Sequence, residues 1–169
     1  QMSQTSPRAW FSTPQRGQVM RTVSSRSPRS SSMAGFFPAT PSNSLSRVTA
    51  LTRLPGRKFV FTNGDETYAR RVLDKLGLAN AFDGLHDIHA MDYVPKPDPR
   101  AYQMGLDAFG LAREEIVFAA SASWDAAGAK AFGYPSFWVN RTNLPIEALG
   151  ATPDAIGGGM ADLAKFVIG

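Results

Sequence analysis

Cysteine is absent from the 169 residues, which excludes disulfides, thiolate metal sites and a cysteine nucleophile. That absence fits a reducing compartment, and a cytoplasmic location is expected. No apolar run approaches the roughly 18 residues needed to cross a bilayer, so no membrane partner is expected. Acidic residues are missing from the whole first third: Asp65 is the first Asp or Glu in the chain. Residues 1–64 therefore offer no carboxylate to act as nucleophile, general base or metal ligand.

What is present divides into two parts of opposite charge. Residues 1–64 carry nine Lys or Arg and sum to +9, while residues 65–169 carry nine Lys or Arg against fourteen acids and sum to −5. The overall pI near 9.7 thus describes neither part, and it does not make nucleic acid an expected ligand of the domain. Residues 1–46 contain twelve Ser and five Pro and show no hydrophobic periodicity. Such a stretch buries too little apolar surface to offset its ordering entropy. Residues 1–50 are expected to be a disordered basic Ser/Pro/Arg-rich segment. A transit peptide, a basic arm for nucleic acid or membrane surfaces, and a segment joined out of frame to the domain all fit it.

From Leu51 the texture is that of a globular domain, 51–169. Lys58 to Thr62 is a short β-prone run ended by the turn signal Asn63-Gly64. Asp65 stands where a helix N-cap belongs, followed by Tyr68, Val72, Leu73 and Leu76 at helical spacing, with Gly77 to close. Leu85–Ile88 suggests a second strand, Pro99–Phe109 a helix packing Tyr102, Leu106 and Phe109, and Glu115–Ala119 a buried strand. Trp124–Phe132 reads as an Ala-rich helix, Ser136–Val139 as a strand, Ile156 as part of a last strand and Met160–Val167 as a terminal helix. Strands alternating with helices imply βαβ units, a mostly parallel sheet, and a site at the carboxyl ends of the strands.

Three polar clusters follow those strands. Thr62-Asn63-Gly64 is either a plain strand-to-helix turn or an anion cradle of hydroxyl, amide and backbone N–H groups. Lys96 lies in Val94-Pro95-Lys96-Pro97-Asp98-Pro99, where three prolines fix the backbone; it is a solvated loop lysine or a rigidly held ammonium. In Ser121-Ala122-Ser123-Trp124-Asp125, the aspartate has four open roles: pairing Lys96, orienting a water, binding a metal, or capping the helix.

In that order, Thr-Asn-Gly, then Lys in a Pro-rich loop, then Asp at the start of a later helix, resemble motifs II, III and IV of the haloacid dehalogenase superfamily. Residues 54–97 look like pyrimidine 5′-nucleotidase-type phosphatases, and residues 96–169 look like L-2-haloacid dehalogenases. The resemblance implies an α/β fold with a Rossmann-like parallel sheet flanked by helices. It implies that Thr62 and Asn63, with Ser121 and Tyr102, bind substrate, and that Lys96 and Asp125 are catalytic. The phosphatases need Mg²⁺ held by a carboxylate pair at the end of the motif IV strand. Here that strand ends in Ala119-Ala120-Ser121, which favours the dehalogenase, an enzyme needing no metal or other cofactor. Two positions depart from the dehalogenase pattern: Ala120 replaces a serine, and Ala122 an asparagine that helps position water.

The resemblance also implies a motif I aspartate nucleophile on the central strand and a helical cap after it, and residues 1–64 contain no aspartate. The expected fold is therefore an incomplete sheet lacking that strand and the cap, in a chain truncated relative to its family. Marginal stability, a homo-oligomer, or completion by another chain would follow. The expected function is a metal-independent (S)-2-haloacid dehalogenase by lineage, inactive for want of the nucleophile, whose substrate would be a small anion, a 2-haloacid or a phosphate ester. A Mg²⁺-dependent phosphatase and a non-catalytic binding module with a basic arm are the alternatives.

Overall fold

The structure is a computed structural model that describes residues 20–24 and 49–169. Six strands form one wholly parallel sheet: β1 Met20–Ser24, β2 Lys58–Phe61, β3 Gly84–His86, β4 Ile116–Ala120, β5 Ser136–Val139 and β6 Ala155–Gly157, in the order β3-β2-β1-β4-β5-β6. Four helices follow strands: α1 Glu66–Lys75, α2 Pro99–Phe109, α3 Ser123–Phe132 and α4 Met160–Ile168.

The expected gap at the sheet's centre is corrected. Met20–Ser24 pairs with β2 through Arg21, Thr22 and Val23, and with β4 along all five of its residues. The physical reason is that ladder hydrogen bonds come from the backbone, so Met-Arg-Thr-Val-Ser serves without an apolar pattern. The disorder expected for residues 1–50 falls mainly outside the described residues. Within it, β1 and the helical residues from 49 onward correct that expectation. The basic arm as a unit lies outside the described residues.

β4 reads Ile-Val-Phe-Ala-Ala and is buried at every position, as a strand covered on both faces must be. One face holds a cluster of Phe59, Phe61, Ile116, Phe118 and Ala120 against Tyr102 of α2, Ala126 and Ala129 of α3, and Tyr134. The other gathers Leu51, Leu54, Val117, Ala119, Phe137 and Val139 against Leu163 of α4. β4 begins one residue later than the sequence suggests. Arg113–Glu115 close a 3-10 turn, in which Glu115 accepts a hydrogen bond from the backbone N–H of Ala112 at 2.8 Å.

Asp65 caps α1 as expected, its carboxylate accepting from the N–H of Tyr68 at 2.9 Å. The apolar face of α1 is thinner than its spacing suggests. Tyr68 and Leu76 stay exposed and Ala69 is the residue that is buried, because the helix turns its small face towards the sheet. Asp98 caps α2, and Pro99 fills its first turn, where a missing N–H costs nothing. Gly133 ends α3 at φ 108°, a backbone conformation that strains any residue with a Cβ.

Candidate functional site

Because all six strands are parallel, their carboxyl ends share one edge, and the three polar clusters gather there. Thr62 follows the last residue of β2, Ser121 the last of β4, and Asp125 lies in the first turn of α3. Lys96 reaches the same place from the loop between β3 and α2.

The centre is an ion pair sealed from water. The Lys96 ammonium donates to Asp125 Oδ2 and to the carbonyl oxygen of Phe61, each at 2.8 Å, and both charged side chains have no exposed surface. The rings of Phe61 and Phe118 stand 4.8 and 5.1 Å from Nζ and turn their negative faces to the cation. Burial pulls the ammonium below the usual lysine range, while Asp125 opposes that pull. Tyr102 holds Asp125 from behind: its hydroxyl donates to Oδ1 at 3.0 Å and lies 3.2 Å from the Asp125 carbonyl. Burial, then the negative charge of Asp125, pushes that phenol far above its ordinary value, so it stays a donor.

Asn63 fixes the lysine loop. Its side-chain oxygen accepts from the N–H of Lys96, and its amide nitrogen donates to the Lys96 carbonyl, both at 2.9 Å across 33 residues of sequence. The Lys96-Pro97 peptide is cis. Thr62 is buried, its N–H given to the carbonyl of His86 at 2.9 Å and its hydroxyl accepting from the N–H of Gly64 at 3.0 Å. The geometry therefore brings Asn63, Lys96, Asp125 and Tyr102 into one network, and Thr62 lies beside it, directly after the Phe61 whose carbonyl takes the lysine. Tyr102 has no exposed surface and stands behind Asp125. Ser121 is exposed at the end of β4, its carbonyl taking the indole N–H of Trp138 at 3.3 Å. Beside it a cleft of about 260 Å³ opens between Trp124, Leu144, Pro145 and Glu147.

Sequence reasoning missed Asp87, a buried carboxylate at the end of β3. It accepts from the N–H groups of Glu66, His89 and Ala90 at 3.0–3.1 Å and pairs with His89 Nδ1 at 2.7 Å. It thereby ties the start of α1 to the loop that carries Lys96. The sequence signal is an Asp two residues before a His directly after a β-prone run, too common to single out. Burial alone would raise this carboxyl, yet the hydrogen bonds from His89, Ala90 and Glu66 bring it below the ordinary 3.8. The folded state therefore favours the charged form. The stability this lends is complete above pH 3.8 and is lost as pH falls through the lower folded value. Urea midpoints measured from pH 6 to pH 2.5 should fall below pH 4, and Asp87→Asn should flatten part of that fall.

A parallel α/β sheet with a lysine–carboxylate pair and hydroxyl-bearing turns at its carboxyl edge defines a Rossmann-like hydrolase core. The sequence model of the haloacid dehalogenase-like hydrolases matches residues 44–133, and the chain belongs to that family. It is 38% identical over 107 residues to haloacetate dehalogenase H-2 of Moraxella sp. (strain B), covering 63% of this chain and 47% of that protein. It is 40% identical over 95 residues to an (S)-2-haloacid dehalogenase of Pseudomonas sp. (strain YL), covering 56% of this chain and 40% of that protein. The chain thus spans less than half the length of these relatives. A crystal structure of an L-2-haloacid dehalogenase superposes with a TM-score of 0.68 at 32% identity, over 78% of this chain and 57% of that one. No helix among the described residues is long and apolar enough to cross a membrane.

Proposed function

We propose that residues 51–169 form the supporting half of a metal-independent 2-haloacid dehalogenase site, and that the 169-residue chain releases no halide by itself. The observation that carries this reading is the sealed Lys96–Asp125 pair at the end of β2. A buried ammonium at a strand end holds a neighbouring carboxylate in its charged, nucleophilic form. Lys96 and Asp125 are the catalytic residues of this reading, Asp125 keeping the lysine charged and oriented. Thr62, Asn63 and Ser121 form the rim that receives the carboxylate of a small haloacid, and Tyr102 steadies Asp125.

A Mg²⁺-dependent phosphatase fits the donor set poorly. Mg²⁺ takes hard oxygens in octahedral geometry. Asp125 has already committed Oδ1 to Tyr102 and Oδ2 to Lys96, and the described residues hold no group of three acidic or histidine side chains able to bind a metal.

The reading also rests on the absence of any aspartate before Asp65, since displacement of halide by this route needs a carboxylate that attacks carbon. Two measurements test it. Chloride from (S)-2-chloropropionate and fluoride from fluoroacetate should stay at the buffer background. In ¹⁵N NMR, (S)-2-chloropropionate should shift the amides of Thr62, Asn63 and Ser121. Halide turnover abolished by Lys96→Ala would overturn the claim of inactivity. Mg²⁺-stimulated phosphate release from a nucleoside monophosphate, with no response to the haloacid, would overturn the dehalogenase reading itself.

A further inference from the structure

The side chain that clamps the lysine loop is chemically labile. Of the five asparagines in the sequence, Asn63 alone precedes a glycine. An asparagine carboxamide is open to attack by the backbone nitrogen of the next residue. A Cβ on that residue obstructs the approach, and glycine has none. Asn80, Asn140 and Asn143 are followed by alanine, arginine and leucine.

In the folded chain the reacting groups are occupied. Asn63 Oδ1 accepts from the Lys96 N–H and Nδ2 donates to the Lys96 carbonyl, both at 2.9 Å, so the carboxamide cannot turn onto its own backbone without releasing both. The attacking nitrogen is that of Gly64, whose N–H donates to Thr62 Oγ1 at 3.0 Å. The Gly64 carbonyl accepts from the N–H of Ile88 at 3.3 Å. Asn63 and Gly64 are both half-buried, so water reaches the linkage once the clamp opens.

We propose that Asn63 is a site of spontaneous modification: it converts to aspartate and isoaspartate when the Lys96 loop opens, and the product no longer closes the clamp. The Gly64 nitrogen, having lost its proton to hydroxide, attacks Asn63 Cγ. The new Cγ–N bond forms, the Cγ–Nδ2 bond breaks, and ammonia leaves with a proton taken from water, producing a succinimide ring. Water then opens the ring. Opening at Cγ gives aspartate, and opening at the main-chain carbonyl gives isoaspartate. Overall one water is consumed and one ammonia released, with no oxidant, reductant or metal.

Asparagine both accepts and donates, whereas an ionised aspartate only accepts. Its second oxygen would meet the Lys96 carbonyl with no hydrogen between them. Isoaspartate also inserts a methylene into the main chain and displaces the turn. Either product leaves the lysine loop with one tie fewer to the end of β2, and no step restores the amide. The inference rests on the clamp alone and stands whatever substrate the site takes.

The test uses the full chain at pH 8 and 37 °C, folded in one sample and unfolded in urea in another, with amide-to-acid conversion at Asn63 mapped by mass spectrometry. Conversion should be at least about ten-fold slower in the folded sample, because there it waits on a local opening. In the converted, folded chain the Lys96 amide should exchange its hydrogen at least about ten-fold faster than in fresh protein, while the amide of Phe118 in β4 keeps its protection. Gly64→Ala is the control. A Cβ there would stand 3.4 Å from Thr62 Oγ1 and 3.9 Å from Tyr68 Cδ1, ordinary contacts that leave the fold and the clamp in place. After the same ageing this variant should show little conversion in either sample and unchanged exchange at Lys96. Equal conversion rates for Asn63 in the folded and unfolded samples would overturn the proposal. So would a converted chain whose Lys96 amide exchanges as before or whose Phe118 amide loses protection to the same degree, or Gly64→Ala converting in urea as fast as the parent.

Discussion

Asp125→Asn should cost about 3–5 kcal/mol of folding free energy, read from urea denaturation at neutral pH, because it leaves a buried ammonium without its counter-charge. That is a large share of the roughly 5–15 kcal/mol by which a domain is stable. The carbonyl of Phe61 and the two aromatic faces solvate Lys96 only in part. Removing both charges should behave differently. Lys96→Met with Asp125→Leu replaces the pair by apolar groups of similar volume and should recover most of the loss, since the pair's Coulomb gain is spent largely on desolvation. The deficit of the single variant should narrow as pH rises. Burial already holds the lysine below its ordinary value, and without Asp125 the folded state favours the neutral amine further. A single variant no less stable than the double, or a deficit that widens with pH, would contradict this account.

Gly128→Ala should destabilise by roughly 1–3 kcal/mol and disturb the site at a distance from any ligand. A Cβ at this position in α3 would stand 2.5 Å from the Tyr102 hydroxyl oxygen and 3.0 Å from Pro97 Cβ. Neither neighbour yields easily. Tyr102 is fully buried between α2 and the sheet, and Pro97 is held beside the clamped Lys96. The phenol must move off Asp125, leaving a buried carboxylate oxygen short of a donor. The double-mutant cycle with Tyr102→Phe decides whether this is the mechanism. Removing the hydroxyl opens the space that the methyl needs, so the two changes together should cost less than their sum by about 1 kcal/mol. Strict additivity would place the clash elsewhere.

The three motifs and the elements around them were legible because each depends on local sequence. Pro99 and Asp98 start α2, Gly133 stops α3, and the apolar run 136–139 makes a strand, all within a few residues of the signal. β1 was not legible. Five residues with an arginine among them carry no periodic signal, and their place is assigned by the open edges of β2 and β4 on either side. The exposed Tyr68 and Leu76 show the same limit, since spacing sets which residues share a helix face but not how much of that face the sheet covers.

By itself the sequence determined that this chain carries a threonine–asparagine turn, a proline-framed lysine and a helix-starting aspartate on a parallel α/β frame, without an aspartate before them. These follow from residue type and local spacing. Only the tertiary structure decided that Lys96 and Asp125 form a pair with no exposed surface, that Asn63 clamps the lysine loop, that Tyr102 stands behind the carboxylate, and that Met20–Ser24 fills the centre of the sheet. Each of those joins residues 23 or more apart in sequence, and burial, which sets their energies, exists only once the layers have packed.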